Sequence, residues 1–372
     1  MEEYQHMSNW AELQRDLLIE IAKRGAFLED FSVFSRVCRS WRSVAVKENF
    51  KGSQQFPWLM LAEENNSDYR GFVSATEGNL IGKLLLPEAK GKRCLETLGW
   101  LVTVSAAGDM NLLDPISRFQ IPLPHISTFK HYQGDIPIDF LCIQKAVLSS
   151  RPCISSKENN YVLMVIYEAC GFLGFWKPGD MAWTTIETRP SAFCDITYYH
   201  GQFYTVNSAG NIFVCDVGLR DPTVVYLCGG ISREILEFKQ PYIVESNGEV
   251  LVVVQDRYLL DYSGDYGDEE EDEDADSGFY TKDEDESKID YRTKEFRVYK
   301  VDLRNWEWVE LQSLGDNALF VGDNASISVQ ASKFRGIRPN CIYFTDDCSP
   351  RYIWFKRGRG KDMGIYNRKI EA

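Results

Sequence analysis

Histidine is scarce in this sequence. The chain has four, His6, His125, His131 and His200, in 372 residues. None stands beside an obvious nucleophile, so imidazole acid–base and triad chemistry have few places to occur. Ten cysteines are scattered along the chain without a C-x-x-C pair and without a nearby histidine to complete a zinc set, which argues against both disulfides and structural zinc. No run approaches the roughly 18 apolar residues of a membrane span. The opening "MEEYQHMSNW" has neither the basic start nor the apolar stretch of a signal peptide, and the expected location is the nucleus, the cytoplasm or both. The only G-x-G run is the "GRG" of 358–360, which no expected strand feeds and no expected helix follows; a P-loop, metal-ligand spacing and a nucleophile elbow are all missing. The expectation is therefore a chain with no cofactor, no metal and no catalytic residues.

Positive charge is also in short supply, but the deficit is local. The net charge is −14. Residues 265–286, "DYGDEEEDEDADSGFYTKDEDE", hold 13 of the 55 acidic residues and one of the 41 basic ones, so they carry −12 and leave −2 for the other 42 acidic and 40 basic residues. The remaining body has no basic face that would argue for nucleic acid. "FKRGRGK" at 355–361 is the one basic stretch, and it reads as a solvated loop.

At 44% hydrophobic and 13% aromatic, the chain has ample material for one large core and a small satellite. Near the start, Leu13, Leu17, Leu18 and Ile21 recur at helical spacing, with Asp16 placed to favour a helix start and Gly25 to stop it. A second helix is expected after Asp30, carrying Phe31, Phe34 and Val37. Cys38, Trp41, Val44 and Ala45 extend the stripe on a third helix or a bent continuation, with Arg36, Arg39, Arg42 and Lys47 on the other side. Three short helices cannot enclose so many apolar side chains alone, so another surface must cover part of them.

The stretch "WAELQRDLLIEIAKRGAFLEDFSVFSRVCRSWRSVA", residues 10–45, resembles an F-box, the helical module through which adaptor proteins dock on the Skp-type subunit of SCF (Skp, cullin, F-box) ubiquitin ligases. The resemblance implies adaptor-binding roles for Leu13, Leu17, Leu18 and Ile21 in the first helix and for Val37, Cys38, Trp41 and Arg42 further on. The family usually has proline after the first leucine, where this chain has Gln14, so a residue that presets helix entry is replaced. A helical cap packed wholly on the following domain is the competing reading.

Beyond "FPWLML" at 56–61 the texture changes to short runs of Val, Ile, Tyr, Phe and Trp punctuated by Gly, Asn and Asp. "VTVSAAGDMNLLD" (102–114) aligns with "YTVNSAGNIFVCD" (204–216), and "YIVESNGEVLVVV" (242–254) adds a third copy. Gly108, Gly210 and Gly248 then share a turn position that calls for positive φ. "FWKPGDMAWTTI" (175–186) aligns with "KVDLRNWEWVEL" (300–311), placing Trp183 opposite Trp308 in what reads as the outer hairpin of a blade. Trp100, Trp176, Trp306 and Trp354 also fall at strand positions, where packing between blades accounts for them. The expected fold is mainly β: a propeller of six or seven blades, grouped near 58–90, 94–123, 139–187, 194–228, 234–311 and 318–366, preceded by a small three-helix module. The expected units are a helical module at 8–50, a propeller at 56–372 and a disordered acidic insert at 264–288.

"ALFVGDNASISV" (318–329) and "RPNCIYFTDD" (338–347) look like the carboxy-terminal half of a large plant group of F-box proteins with a kelch-like propeller domain of unknown function. That resemblance implies a non-catalytic substrate receptor of an SCF-type ubiquitin ligase. Its partners would be a Skp-type adaptor and, through it, cullin and RING subunits, together with a target protein, and neither nucleic acid nor membrane. The polar turn residues Asp109, Asn211 and Arg338 are candidates for target recognition. Two alternatives stay open: an F-box scaffold uncoupled from ubiquitination, and a propeller-fold enzyme.

Overall fold

The computed structural model describes residues 10–24, 33–35, 37–46, 49, 58–64, 66–74, 80–132, 143–153, 160–168, 170–188, 191–218, 222–229, 239–261, 289–305, 307–334, 336–347 and 362–368. The acidic insert expected at 264–288, the basic stretch 355–361, Trp306, Trp354, Gly25, Asp30, Phe31, Arg36 and Lys47 lie outside them. Among the described residues, no helix is long and apolar enough to cross a membrane.

Helix α1 spans Arg15–Ala22. Its N-cap is Gln14, whose side chain makes no capping bond, and Asp16 lies inside the first turn, where its charge favours the helix dipole. Phe34 and Ser35 sit in a helical turn at 33–35, but the chain breaks at Val37 and Cys38 before helix α2, Arg39–Val44. Cys38 is extended, at φ −160° and ψ 179°, so the apolar stripe of 34–45 is divided between two helical segments.

The rest of the chain forms six sheets. Blade 1 has three described strands: β1 (Trp58–Met60), β2 (Tyr69–Ser74) and β3 (Leu80–Leu85). Blade 2 is β4 (Lys92–Thr97), β5 (Trp100–Ser105), β6 (Met110–Leu113) and β7 (Gln120–Leu123). Blade 3 is β8 (Ile143–Leu148), β9 (Leu163–Tyr167), β10 (Phe172–Trp176) and β11 (Thr184–Ile186). Blade 4 is β12 (Phe193–Tyr199), β13 (Gln202–Asn207), β14 (Asn211–Asp216) and β15 (Thr223–Gly229). Blade 5 is β16 (Lys239–Ser246), β17 (Glu249–Asp261), β18 (Ile289–Asp302) and β19 (Glu307–Glu310). Blade 6 is β20 (Asn317–Val321), β21 (Ile327–Gln330), β22 (Cys341–Phe344) and β23 (Gly364–Asn367). The mainly-β propeller expected from the repeats is the observed fold, and of the six or seven blades expected it has six.

Blades 2 to 5 are meanders of consecutive antiparallel strands. Blade 6 departs from this with the order β21-β20-β22-β23 and a parallel β20–β22 pair. A parallel neighbour requires a crossover, and it falls between β21 and β22, where the chain leaves β21 through a 3-10 turn at Ala331–Lys333. The core is divided between blades because a single four-stranded sheet cannot bury its own faces. Leu95, Trp100 and Val102 of blade 2 pack with Ile143, Leu163 and Trp176 of blade 3. Equivalent clusters join blades 3 and 4, 4 and 5, and 5 and 6.

The repeats map onto this plan with one shift. The first two copies are the β5–β6 and β13–β14 hairpins, joining the second and third strands of their blades, whereas the third is β16–β17, joining the first and second. Gly108, Gly210 and Gly248 all have positive φ, at 93°, 69° and 78°. Asn247 and Gly248 form a two-residue turn with φ positive at both positions, so this copy reaches the same backbone requirement by a different turn. Trp183 and Trp308 do lie on outer hairpins. Trp183 is buried, donates from Nε1 to the Pro124 carbonyl at 3.0 Å and stacks on Phe129 at 4.7 Å.

Candidate functional site

The amino-terminal helices build a small core that one residue of the propeller, Ile116, helps to close. Leu18 and Ala22 from α1 meet Phe34, Val44 and Ala45, with Leu13, Ile19 and Trp41 at the margin. Phe34 and Trp41 rings lie 4.6 Å apart, and Trp41 Nε1 donates to the Trp10 carbonyl at 2.9 Å. Arg42 Nε donates to the Ser35 carbonyl at 3.3 Å across the break in the stripe. The side-chain amide of Asn49 donates to the Val44 carbonyl at 2.8 Å, satisfying one of the carbonyls that the end of α2 leaves open.

With this core filled, several apolar side chains point outward. Leu17 is 52% exposed, Ile21 37% and Val37 52%. Leu17 and Ile21 are four residues apart on α1 and therefore share one face of it. Leu13, Cys38 and Trp41 are half-buried and Arg42 is exposed. Leu18, also expected to contact an adaptor, is 1% exposed and belongs to the inner core, because the packing of α1 turns that position toward Phe34 and Val44. Within the described part of the helical module, two further exposed apolar residues went unassigned by sequence reasoning, Trp10 and Val33. Trp10 opens the F-box-like stretch and its carbonyl holds Trp41, so the motif itself carried that signal; Val33 carried none. Asp109, Asn211 and Arg338 lie on blades 2, 4 and 6 and form no joint site, although Asp109 and Asn211 both flank turns between second and third strands.

The propeller axis is the other place where polar groups converge. Lys145 on β8 donates to the carbonyls of Gly322 and Asn324, the latter at 2.9 Å, and pairs with Asp195 Oδ1 at 3.3 Å. Asp195 on β12 accepts from the backbone of Ile196 (2.9 Å) and Ile243 (3.0 Å) and from Ser326 Oγ (2.6 Å). Burial pushes its carboxyl pKa up, and Lys145 opposes that shift. Asn324 Oδ1 accepts from the Glu96 backbone at 2.9 Å. One loop, 322–326, therefore ties blade 6 to blades 2, 3 and 4 across the axis. Beside it, Tyr242 Oη lies 2.6 Å from Gln255 Oε1 and 2.7 Å from Asp347 Oδ2, and burial raises its hydroxyl pKa well above the ordinary value. Arg257 binds Gln255 and Asp347, and Asp362 accepts from the backbone and hydroxyl of Thr293 at 3.0 and 2.7 Å. These carboxylates are engaged by protein donors, which makes the cluster a fastening between blades. Among the described residues, no group of three or more His, Cys, Asp or Glu side chains could hold a metal ion.

Comparison with known proteins follows the same division. The KIB1-4 β-propeller family model matches residues 72–367. Among curated Arabidopsis thaliana proteins, the F-box protein SKIP23 is 30% identical over 354 residues, covering 88% of this chain and 81% of the relative. The F-box protein At2g17036 is 26% identical, covering 90% of this chain and 82% of its own length. The F-box protein At2g26160 is 24% identical, covering 93% and 98%.

Proposed function

The chain belongs to the KIB1-4 β-propeller family of F-box proteins, and from that premise we propose that it serves as the target-recognition subunit of an SCF-type ubiquitin ligase. In this reading the helices hold a Skp-type adaptor, with cullin and RING subunits behind it, and the propeller holds a protein target. The chain performs no chemistry of its own. It keeps target lysines close to a ubiquitin carrier, so that transfer proceeds at a high effective concentration. The observation that carries the proposal is the exposure of Leu17 and Ile21 on one side of α1, and of Val37 just before α2, on a module whose core already buries Leu18, Ala22, Phe34, Val44 and Ala45. Exposed apolar side chains grouped on so small a module mark a protein-binding surface.

The test is direct. The purified full-length chain is mixed with a purified Skp-type adaptor and the complex is followed by calorimetry. Binding is expected for the wild-type chain and is expected to be lost on Leu17→Asp or Ile21→Asp, with melting of the propeller unchanged. An adaptor that ignores the wild-type chain, or binds both variants equally well, overturns the proposal.

A further inference from the structure

The helical core is not closed by the helices alone. Ile116, about 70 residues beyond α2 in sequence, packs against the cluster that Leu18, Ala22, Phe34, Val44 and Ala45 form. It stands in the β6–β7 turn of blade 2, and that turn is built stiffly. Asp114 Oδ1 accepts from the Ile116 backbone at 3.0 Å and Asp114 Oδ2 from Ser117 Oγ at 2.9 Å. The Arg118 backbone donates to the Asp114 carbonyl at 2.8 Å. The Arg118 guanidinium in turn grips both oxygens of Glu88, at 2.6 to 3.0 Å, on the segment that leads into blade 2. A side chain presented from so braced a turn gives a fixed point of contact, and Ile116 itself is half-buried rather than solvated.

The topology says which face this is. Strand direction alternates across a blade, so turns joining strands one to two and three to four emerge on one face, and turns joining two to three on the other. The inner strands run in one direction around the axis. Thr97 at the end of β4 accepts from Leu148 at the end of β8, and Asp195 early in β12 accepts from Ile243 in β16. The β6–β7 turn joins strands three and four of its blade. The β5–β6 and β13–β14 turns, and the β17–β18 pair that runs on to Asp261 and from Ile289, are connections of the two-to-three kind and lie on the opposite face.

We infer that the β6–β7 turn, residues 114–119, is the seat that fixes the adaptor-binding helices on one face of the propeller, with Ile116 as the positioning residue. An adaptor on Leu17 and Ile21 is thereby held in one orientation, on the side away from Asp109, Asn211 and the β17–β18 ribbon. The seat is a property of the free chain; only its use in aiming a ligase rests on the receptor reading.

The test compares full-length wild type, Ile116→Glu and Ile116→Leu. Small-angle scattering of the free chain reads the relative placement of helices and propeller, amide exchange reads each element, and calorimetry reads adaptor affinity. Ile116→Glu is expected to increase the maximum dimension and to raise exchange in Arg15–Ala22 and Arg39–Val44 about tenfold, while exchange in β4 and β5 and adaptor affinity stay within about twofold. Ile116→Leu is expected to restore the wild-type profile. Should the glutamate also loosen β4 and β5, Ile116→Ser removes the plug without burying charge and is judged by the same readouts. Scattering and helix exchange that match wild type in both Ile116→Glu and Ile116→Ser overturn the seat. Failure of the wild-type chain to bind adaptor removes the receptor reading, and the free-chain scattering still decides the seat.

Discussion

Leu17 and Leu18 are consecutive on α1 and face different worlds: Leu17 is 52% exposed, while Leu18 is 1% exposed and packed among Ala22, Phe34 and Val44. Their substitution should therefore separate binding from stability. Leu18→Ala is expected to cost about 2–5 kcal/mol of helical-module stability, as large-to-small changes in cores do. Leu17→Ala is expected to stay within about 0.5 kcal/mol. Amide exchange of α1 measures both, and equal losses would contradict the placement of α1.

Gln14 occupies the position where the F-box pattern usually has proline, and its backbone sits at φ −59°, ψ 144°. That φ is the one a proline ring imposes, so the fold already holds the geometry and only the rigidity is missing. Gln14→Pro should stabilise the helices by about 0.4–1 kcal/mol by narrowing the unfolded ensemble. Slower exchange in Arg15–Ala22 is the readout, and faster exchange would show that the ring does not fit.

Lys145 and Asp195 form an ion pair inside the propeller, 5% and 0% exposed at their side chains. Replacing one partner strands the other charge away from water. Lys145→Met should cost about 3–5 kcal/mol in urea unfolding, and adding Asp195→Asn should recover part of the loss. A double variant no more stable than Lys145→Met would mean that the carbonyl contacts to Gly322 and Asn324, and not the charge, dominate.

Among the eight cysteines described, none forms a disulfide, and their surroundings differ sharply. Burial pushes the Cys215 thiol up to about 12 from an ordinary 9.0, while Cys170 is exposed. Brief alkylation at pH 8 should label Cys170 and spare Cys215 until denaturant is added, as read by peptide mass spectrometry. The folded state holds the Cys215 proton more tightly than the unfolded one. Its contribution to stability is therefore complete below about pH 9 and declines as pH rises toward 12. Equal native labelling at both sites would contradict the burial of β14.

The features legible in the chain's own residues are local and periodic. Alternating strands, turn glycines such as Gly108 and Gly210 held at positive φ, and matched hairpins around Trp183 and Trp308 each follow from backbone sterics and side-chain period, and their repetition pointed to a propeller of six or seven blades, of which the structure has six. The order of apolar residues from Trp10 to Ala45 likewise sufficed for short helices and an F-box resemblance. Tertiary structure alone decided the rest. A helical period marks an apolar stripe but not which side of it gets covered, so only packing put Leu18 inside and Leu17 outside. The parallel pair in blade 6, the reach of Lys145 to a loop 177 residues away and the seating of Ile116 against α1 and α2 join parts of the chain remote from one another. Nothing in a local window encodes such contacts, because their energy exists only once the blades have closed around the axis.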